Sequence, residues 1–199
     1  QGANILSAAP DHATTLAANL FPLVKWDKQQ IRETSQWLVA HMEKMETASY
    51  TLSRLGYALG KLMERLPQGD ADVKKWAAAL VVRMEKPETD SDALSSLGYA
   101  LGRLAEHLPK GDPEVIKGSA ALVAHMAKPE TDSMTLTSLE EVLDKLVERL
   151  PEGDADVKKW AAALVDRMEK TEPDSDVLSR LGYALAVLAR RLPQGDSEV

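Results

Sequence analysis

The chain contains no cysteine, which excludes disulfide bonds, thiolate metal sites and a cysteine nucleophile. Aromatic residues make up only 5% of it, and no apolar run is long enough for a membrane-spanning helix. The motifs of zinc proteases, EF-hands, P-loops and serine hydrolases are also missing. We therefore predict a protein that is not an enzyme, holds no metal or cofactor and has no membrane span.

Basic residues are outnumbered as well. The chain has 24 Lys and Arg against 31 Asp and Glu, a formal net charge of −7. Proteins that bind nucleic acid through its phosphates need a basic stripe or groove, which this balance does not supply. A nucleic-acid partner is therefore not expected, and a protein or peptide partner is favoured.

What the sequence does contain is a repeat with a period of 42 residues. A leucine-rich string (LSxLGYAL) begins at four positions separated by this period: Leu52, Leu94, Leu178 and, in degraded form, Leu136. The segment 69–86 recurs as 153–170 with one substitution. A fixed period of this length is typical of solenoids, in which each unit buries its apolar face against its neighbours.

Each unit is predicted to contain two antiparallel helices. From Leu52 to Leu66, leucines recur at intervals of three and four, the spacing of an amphipathic helix (helix A). Pro67 ends helix A, and Asp70 is a suitable N-cap for the second helix (helix B). Arg83, near the end of helix B, suits the helix dipole. No strand pattern is present.

The fold class predicted from this pattern is all-α, a right-handed superhelical α-solenoid of two-helix, HEAT-like repeats. The whole chain is treated as a single repeat domain, 1–199, with units 7–48, 49–90, 91–132, 133–174 and a half unit 175–199. Val199 takes the place of Val73 in the repeat, and the chain does not begin with methionine. We therefore expect it to be cut from a longer array.

The 42-residue period and the helix pair resemble the HEAT/armadillo class of α-solenoids. The period also resembles that of the SKWP-type tandem repeats of effectors that plant-pathogenic bacteria inject into host cells. In the first unit, residues 23–27 (LVKWD) are similar to the Ser-Lys-Trp-Pro signature, whereas the second unit has ERLP at 64–67. The resemblance to these effectors implies a scaffold that is secreted into a host cell. The sequence itself leaves the compartment open, and a cytoplasmic protein is the alternative.

The face of helix A opposite the leucines carries recurring tyrosines. Tyr57 lies beside Lys61 on this face, and the same pair recurs as Tyr99 and Arg103. Tyrosine is enriched at protein interfaces, which suggests a partner-binding stripe. Alternatively, each ring packs against the cation four residues later or against the neighbouring unit. The candidate partner-binding residues are Tyr57, Lys61, Tyr99, Arg103, Glu141, Lys145 and Tyr183.

Acids replace small or aromatic residues on this face in the fourth unit. The positions of Gly56, Tyr57 and Gly60 are taken there by Glu140, Glu141 and Asp144. Because three acids do not fit a dry core, we expect a partly solvated face, with Glu141 able to pair with Lys145. The patch is either a specificity element for a basic partner segment or an ordinary solvated face.

Two further patterns concern packing. Gly56 and Gly60 lower helix propensity, and close approach of the adjacent helix A is the simplest compensation. Trp76, Gly118 and Trp160 occupy one position in successive units, so we expect a bulky neighbour to fill the space at Gly118.

Two hypotheses of different classes follow. The first is a protein-interaction scaffold that binds a peptide or protein segment on a surface lined by the repeats, with a preference for a basic segment. The second is a structural spacer array, a natural fragment or a consensus design, with no ligand of its own.

Overall fold

Helices form all the regular structure in the part of the chain described by the computed structural model, residues 26–44, 49–86, 89–170 and 175–192. These ranges contain eight α-helices and no strand, which confirms the all-α prediction. The helices are α1 (Lys28–Met42), α2 (Ser49–Met63), α3 (Ala71–Met84), α4 (Ser91–Ala105), α5 (Pro113–Met126), α6 (Ser133–Val147), α7 (Ala155–Lys170) and α8 (Ser175–Ala189). The first predicted helix, N-terminal to α1, lies outside the described residues.

Helix starts are set locally by aspartate caps. The Asp70 side chain accepts a hydrogen bond from the backbone N–H of Asp72 at the start of α3. Asp90 and Asp132 likewise accept from Ala93 and Thr135 and cap α4 and α6. These three caps confirm the sequence prediction, because a short acidic side chain satisfies a backbone donor that has no intrahelical partner. Asp174, predicted to cap α8, lies outside the described residues.

The helix positions follow the period of the sequence. The A helices α2, α4, α6 and α8 each contain 15 residues, about four turns, and start at 42-residue intervals. The B helices α3, α5 and α7 start at the same interval. The leucines of α2 and its C-terminal turn form the predicted buried face, from Leu52 at 0% exposure to Leu66 at 6%. The packing is compatible with a helical repeat.

The described residues fall into two compact units, one ending at Leu108 and one beginning at Pro109. In the first unit, α1 packs on α2 and α3, and α4 packs on α2 and α3. In the second unit, α5 packs on α6 and α7, and α8 packs on α6 and α7. Each unit therefore pairs A helix with A helix and B helix with B helix. The single repeat domain 1–199 stays a prediction.

Glycine turns connect each A helix to the B helix that follows it. Gly69, Gly111 and Gly153 all have positive φ, between 73° and 79°, where a side chain would be strained. Their N–H groups donate to the carbonyls of His107, Arg149 and Arg191 respectively, each at the end of the next A helix. Each turn is thus linked through the backbone to the end of the next A helix.

Buried arginines link successive B helices. Arg83 is 3% exposed and its Nη1 donates to the carbonyl of Met42 at the end of α1. Arg167 is 4% exposed, and it donates to the carbonyl of Met126 at the end of α5 and to that of Thr131 at 2.6 Å. Each arginine therefore satisfies carbonyls that the preceding B helix leaves open at its C-terminus.

Candidate functional site

In the first compact unit, which ends at Leu108, the predicted tyrosines lie on α2 and α4. These two helices are parallel and in register. A β-carbon placed on Gly56 would lie 3.3 Å from the β-carbon of Ala100 and 3.3 Å from the carbonyl oxygen of Ser96. Ser96 and Ala100 flank Gly98, the residue of α4 equivalent to Gly56. Equivalent residues of α2 and α4 therefore lie side by side.

Close helix approach explains the two glycines of α2. Besides the contacts of Gly56, a β-carbon on Gly60 would lie 3.0 Å from Cγ of Arg103. This distance is tighter than ordinary van der Waals contact, so neither position has room for a larger side chain without a shift of its neighbours. The predicted compensation for the poor helix propensity of these glycines is confirmed.

Tyr57 and Tyr99 project from this helix pair on its outward side. Tyr57 is 48% exposed, and Nζ of Lys61 lies 5.9 Å from its ring centroid. Tyr99 is half-buried; Cζ of Arg103 lies 5.5 Å from its ring centroid, and Nη2 of Arg103 donates to its hydroxyl at 3.2 Å. The contact with a cation four residues later, one of the two predicted alternatives, is therefore present. A role in partner binding stays a prediction.

A third tyrosine extends this surface and was missed from the sequence. Tyr50 is 68% exposed, and Cζ of Arg54 lies 4.7 Å from its ring centroid. Tyr50 does not recur, because Asp92 and Met134 take its place in the next two 42-residue repeats. Its spacing of four residues to Arg54 was nevertheless a usable signal in the sequence. We call the six side chains together the aromatic–basic face: Tyr50, Arg54, Tyr57, Lys61, Tyr99 and Arg103.

Two glutamates border the aromatic–basic face at the C-terminal ends of its helices. Glu64 pairs with Lys61 at 2.7 Å, and Glu106 pairs with Arg103 at 3.4 Å. The hydrogen bond between Lys61 and Glu64 raises the pKa of Lys61 and lowers that of Glu64. The hydrogen bond to Tyr99 is the main cause that raises the pKa of Arg103. The cations therefore stay charged at neutral pH.

The equivalent helix pair of the second unit, α6 and α8, contains ion pairs instead. Glu140 takes the place of Gly56 and is only 6% exposed, with its Oε2 3.9 Å from Nη1 of Arg180. Burial raises the pKa of Glu140, while the charge of Arg180 opposes that shift. Asp144 takes the place of Gly60 and forms an ion pair with Arg190. The expectation of a solvated face was wrong for Glu140, which is buried between α6 and α8. Arg180 of the next A helix lies beside it, but its own side chain is 44% exposed.

The remaining candidate residues lie on the outward side of the second unit. Glu141 and Lys145 are exposed on α6, and Tyr183 is 55% exposed on α8. The residue four positions after Tyr183 is Val187, which is 3% exposed and packs inward. In α2 and α4, a cation four residues after the tyrosine contacts its ring. In α8, the residue four positions after Tyr183 is apolar, so this contact is not formed there.

The tryptophans of the B helices are packing residues. Trp76 is 2% exposed, and its Nε1 donates to Oε1 of Gln36 at 3.0 Å, while Trp160 is 9% exposed. Gly118 is buried. The filling of the space at Gly118 by a bulky neighbour stays a prediction.

Within the described residues, no three His, Asp or Glu side chains are grouped so that they could hold a metal ion. Across the same ranges, every helix is too short or too polar to cross a membrane. No protein-family model, curated protein or solved structure matches this chain.

Proposed function

We propose that this protein is a non-enzymatic interaction scaffold: a right-handed superhelical solenoid of HEAT-like, 42-residue repeats that binds a peptide or protein segment on its A helices. The constant spacing of the A helices and the recurring glycine turns support the repeat architecture. The observation that carries the binding function is the aromatic–basic face, with Tyr50 and Tyr57 exposed on a rigid helix pair.

The geometry of this face suits recognition. Tyrosine offers a large apolar area with a polar tip, and it loses little conformational entropy when bound. The cations stacked on Tyr50, Tyr57 and Tyr99 restrict the rings further before any partner arrives. A surface ordered in advance binds more tightly because less freedom is lost on association.

The second unit carries candidate contact residues of different chemistry. Glu141, Lys145 and Tyr183 face outward there, and Glu141 would favour a basic segment of a partner. Glu140 and Asp144 already pair with Arg180 of α8 and with Arg190, which directly follows α8. Of the three acids in the predicted patch, Glu141 is therefore the one we assign to partner contact. In a bacterial effector, such a surface would engage a protein of the host cell.

Selection from a displayed library of random peptides tests this function. We expect the chain to enrich a defined set of peptides, and the triple variant Tyr57→Ala, Tyr99→Ala and Tyr183→Ala to lose them while its circular dichroism spectrum is unchanged. Val82→Ala is the matched control, because Val82 is an exposed apolar residue of α3, outside the proposed surface. Enrichment that survives the triple substitution would contradict the assignment of the tyrosines.

A structural spacer with no ligand is the second candidate function. Segments 69–86 and 153–170 differ at one position, as expected for repeats that are not selected for distinct contacts. In addition, Lys61 and Arg103 contact both the tyrosine rings and the glutamates beside them, so the face is satisfied internally. A library selection that enriches no peptide would favour the spacer.

A further inference from the structure

We infer that the aromatic–basic face takes an acidic, proline-containing segment in the polyproline II conformation. This inference rests on the proposed scaffold function and specifies the chemistry of its partner. It depends on three features of the first unit: the spacing of the tyrosines, the charge beside them and the contrast with the second unit.

The spacing of the tyrosines matches that of a polyproline II helix laid across α2 and α4. Because these helices are parallel and in register, Tyr57 and Tyr99 are separated by about one interhelical distance, roughly 8–10 Å. A polyproline II helix advances about 9 Å per turn of three residues. Every third residue of such a segment would therefore meet successive tyrosines, and prolines pack well on aromatic rings.

The charge beside the tyrosines favours acidic residues in the segment. Arg54, Lys61 and Arg103 each lie within 6 Å of a ring centroid. Glu64 and Glu106, which pair with two of these cations, are 52% and 62% exposed. Exposed ion pairs contribute little stability, so carboxylates of a partner can replace them. The aromatic–basic face therefore has three cations against two bordering glutamates, on a chain of net charge −7.

The second unit lacks this combination on its A helices. Glu141 takes the place of Tyr57, and Val187 takes the place of Arg103. An acidic segment would meet the like charge of Glu141 on α6, and it would find no cation at Val187 on α8. The preference for acidic residues therefore belongs to α2 and α4.

A synthetic peptide of about four Pro-Pro-Glu triplets is the direct probe, since its carboxylates recur every third residue. We expect isothermal titration calorimetry on the full chain to show binding that weakens as the salt concentration rises. Peptides with lysine or glutamine in place of glutamate should bind at least about tenfold more weakly. A Gly-Gly-Glu peptide should also bind more weakly, because it is not held in the polyproline II conformation.

Charge reversal on the protein provides the reciprocal test. The variant Lys61→Glu with Arg103→Glu should lose the glutamate peptide and gain affinity for the lysine peptide. Tyr57→Ala with Tyr99→Ala should lose the glutamate peptide, and Val82→Ala should behave as the unaltered chain. Thermal unfolding of each variant shows whether it remains folded. Equal binding of the glutamate, lysine and glutamine peptides to the unaltered chain would overturn the inference. The absence of any binding of the glutamate peptide would overturn it as well.

The library selection separates failure of this inference from failure of the scaffold function. Tyrosine-dependent peptides that are neither acidic nor rich in proline would leave the scaffold function standing and reject the partner chemistry. A selection without any tyrosine-dependent peptide would reject both.

Discussion

The pair α2 and α4 in the first unit and the pair α6 and α8 in the second occupy the same place in the repeat, yet different interactions hold them together. In the first pair, Gly56 allows close backbone contact with the next A helix. In the second pair, Glu140 and Asp144 pair with Arg180 and Arg190. Both pairs have the same helix lengths and start positions within the repeat.

This difference shows how a repeat can change its internal contacts. The buried Glu140 is accompanied by Arg180, which takes the place of Ser96, so the substitutions occur as a complementary pair. A buried charge without its partner is strongly destabilising, and a single substitution of this kind would therefore weaken the stack. The outward face changes at the adjacent position, where Tyr57 of the first unit corresponds to Glu141 of the second.

Transfer of the acid into the first unit should have the largest effect. Gly56→Glu places a carboxylate where a β-carbon is already 3.3 Å from Ala100 and from the carbonyl oxygen of Ser96. We expect the free energy of unfolding to fall by about 3–5 kcal/mol, because the buried charge has no partner there. Urea denaturation followed by circular dichroism measures the change.

The double variant Gly56→Glu with Ser96→Arg is the decisive companion, because it restores the ion pair of the second unit. It should recover part of the lost stability, because in the second unit the charge of Arg180 offsets the burial of Glu140 only partly. Gly56→Ala is the control for size alone, where better helix propensity offsets the crowding to within about 1 kcal/mol. If Ser96→Arg restores no stability to Gly56→Glu, the ion pair of α6 and α8 cannot replace the glycine contact of α2 and α4.

The buried arginines of the B helices should show the opposite behaviour, namely effects of similar size in both units, with that of Arg167 the larger because it also donates to the carbonyl of Thr131. Arg83→Ala and Arg167→Ala each leave a C-terminal helix carbonyl without its donor, at Met42 and Met126 respectively. We expect each substitution to lower the free energy of unfolding by about 2–3 kcal/mol. Urea denaturation of the two variants in parallel provides the measurement.

Lysine at either position retains the charge but loses the planar, forked donor geometry, so its cost should be intermediate. If Arg83→Ala and Arg167→Ala change the free energy of unfolding by amounts that differ by more than about 1 kcal/mol, the two units also differ in how their B helices are held together.

The smallest effect concerns pH. Burial raises the pKa of Glu140 in the folded chain above its unfolded value. Its protonated form is therefore favoured by folding, and its contribution to stability is present at acidic pH and is lost as pH rises through the raised pKa. Relative to Glu140→Gln, the unaltered chain should gain stability as pH falls from neutral toward the ordinary range of glutamate.

Thermal unfolding of both proteins across this pH range measures the difference, with Glu141→Gln as the exposed control on the same helix. A difference between the unaltered chain and Glu140→Gln that does not change with pH would mean that Glu140 titrates as an ordinary surface carboxylate.

Much of the fold could be predicted because its determinants are local. The leucine spacing of α2 places Leu52 and Leu66 on one face. Asp70 and Asp90 start α3 and α4 by accepting hydrogen bonds from backbone N–H groups two or three residues later. Of the candidate site, the contact between Tyr57 and Lys61 was also foreseeable, because residues four apart on a helix are neighbours.

Other contacts could not be predicted because their partners are distant in sequence. From its own helix alone, Arg83 is a base near a C-terminus, whereas in the fold it is buried and donates to Met42. Glu140 looks like a surface acid beside Glu141, and only the packing of α8 brings Arg180 to it. Charged residues of this kind change role when another helix covers them.

The sequence by itself therefore determined the helical class, the helix ends and the apolar faces, since each depends on side chains within about one helical turn. The 42-residue period is also a property of the sequence alone, because it is found by comparing its segments. The tertiary structure alone decided how the faces meet: which glycines allow close approach, which carboxylates are buried and which rings remain exposed. These features depend on burial, and burial is set by neighbours that the chain supplies from about 40 residues away.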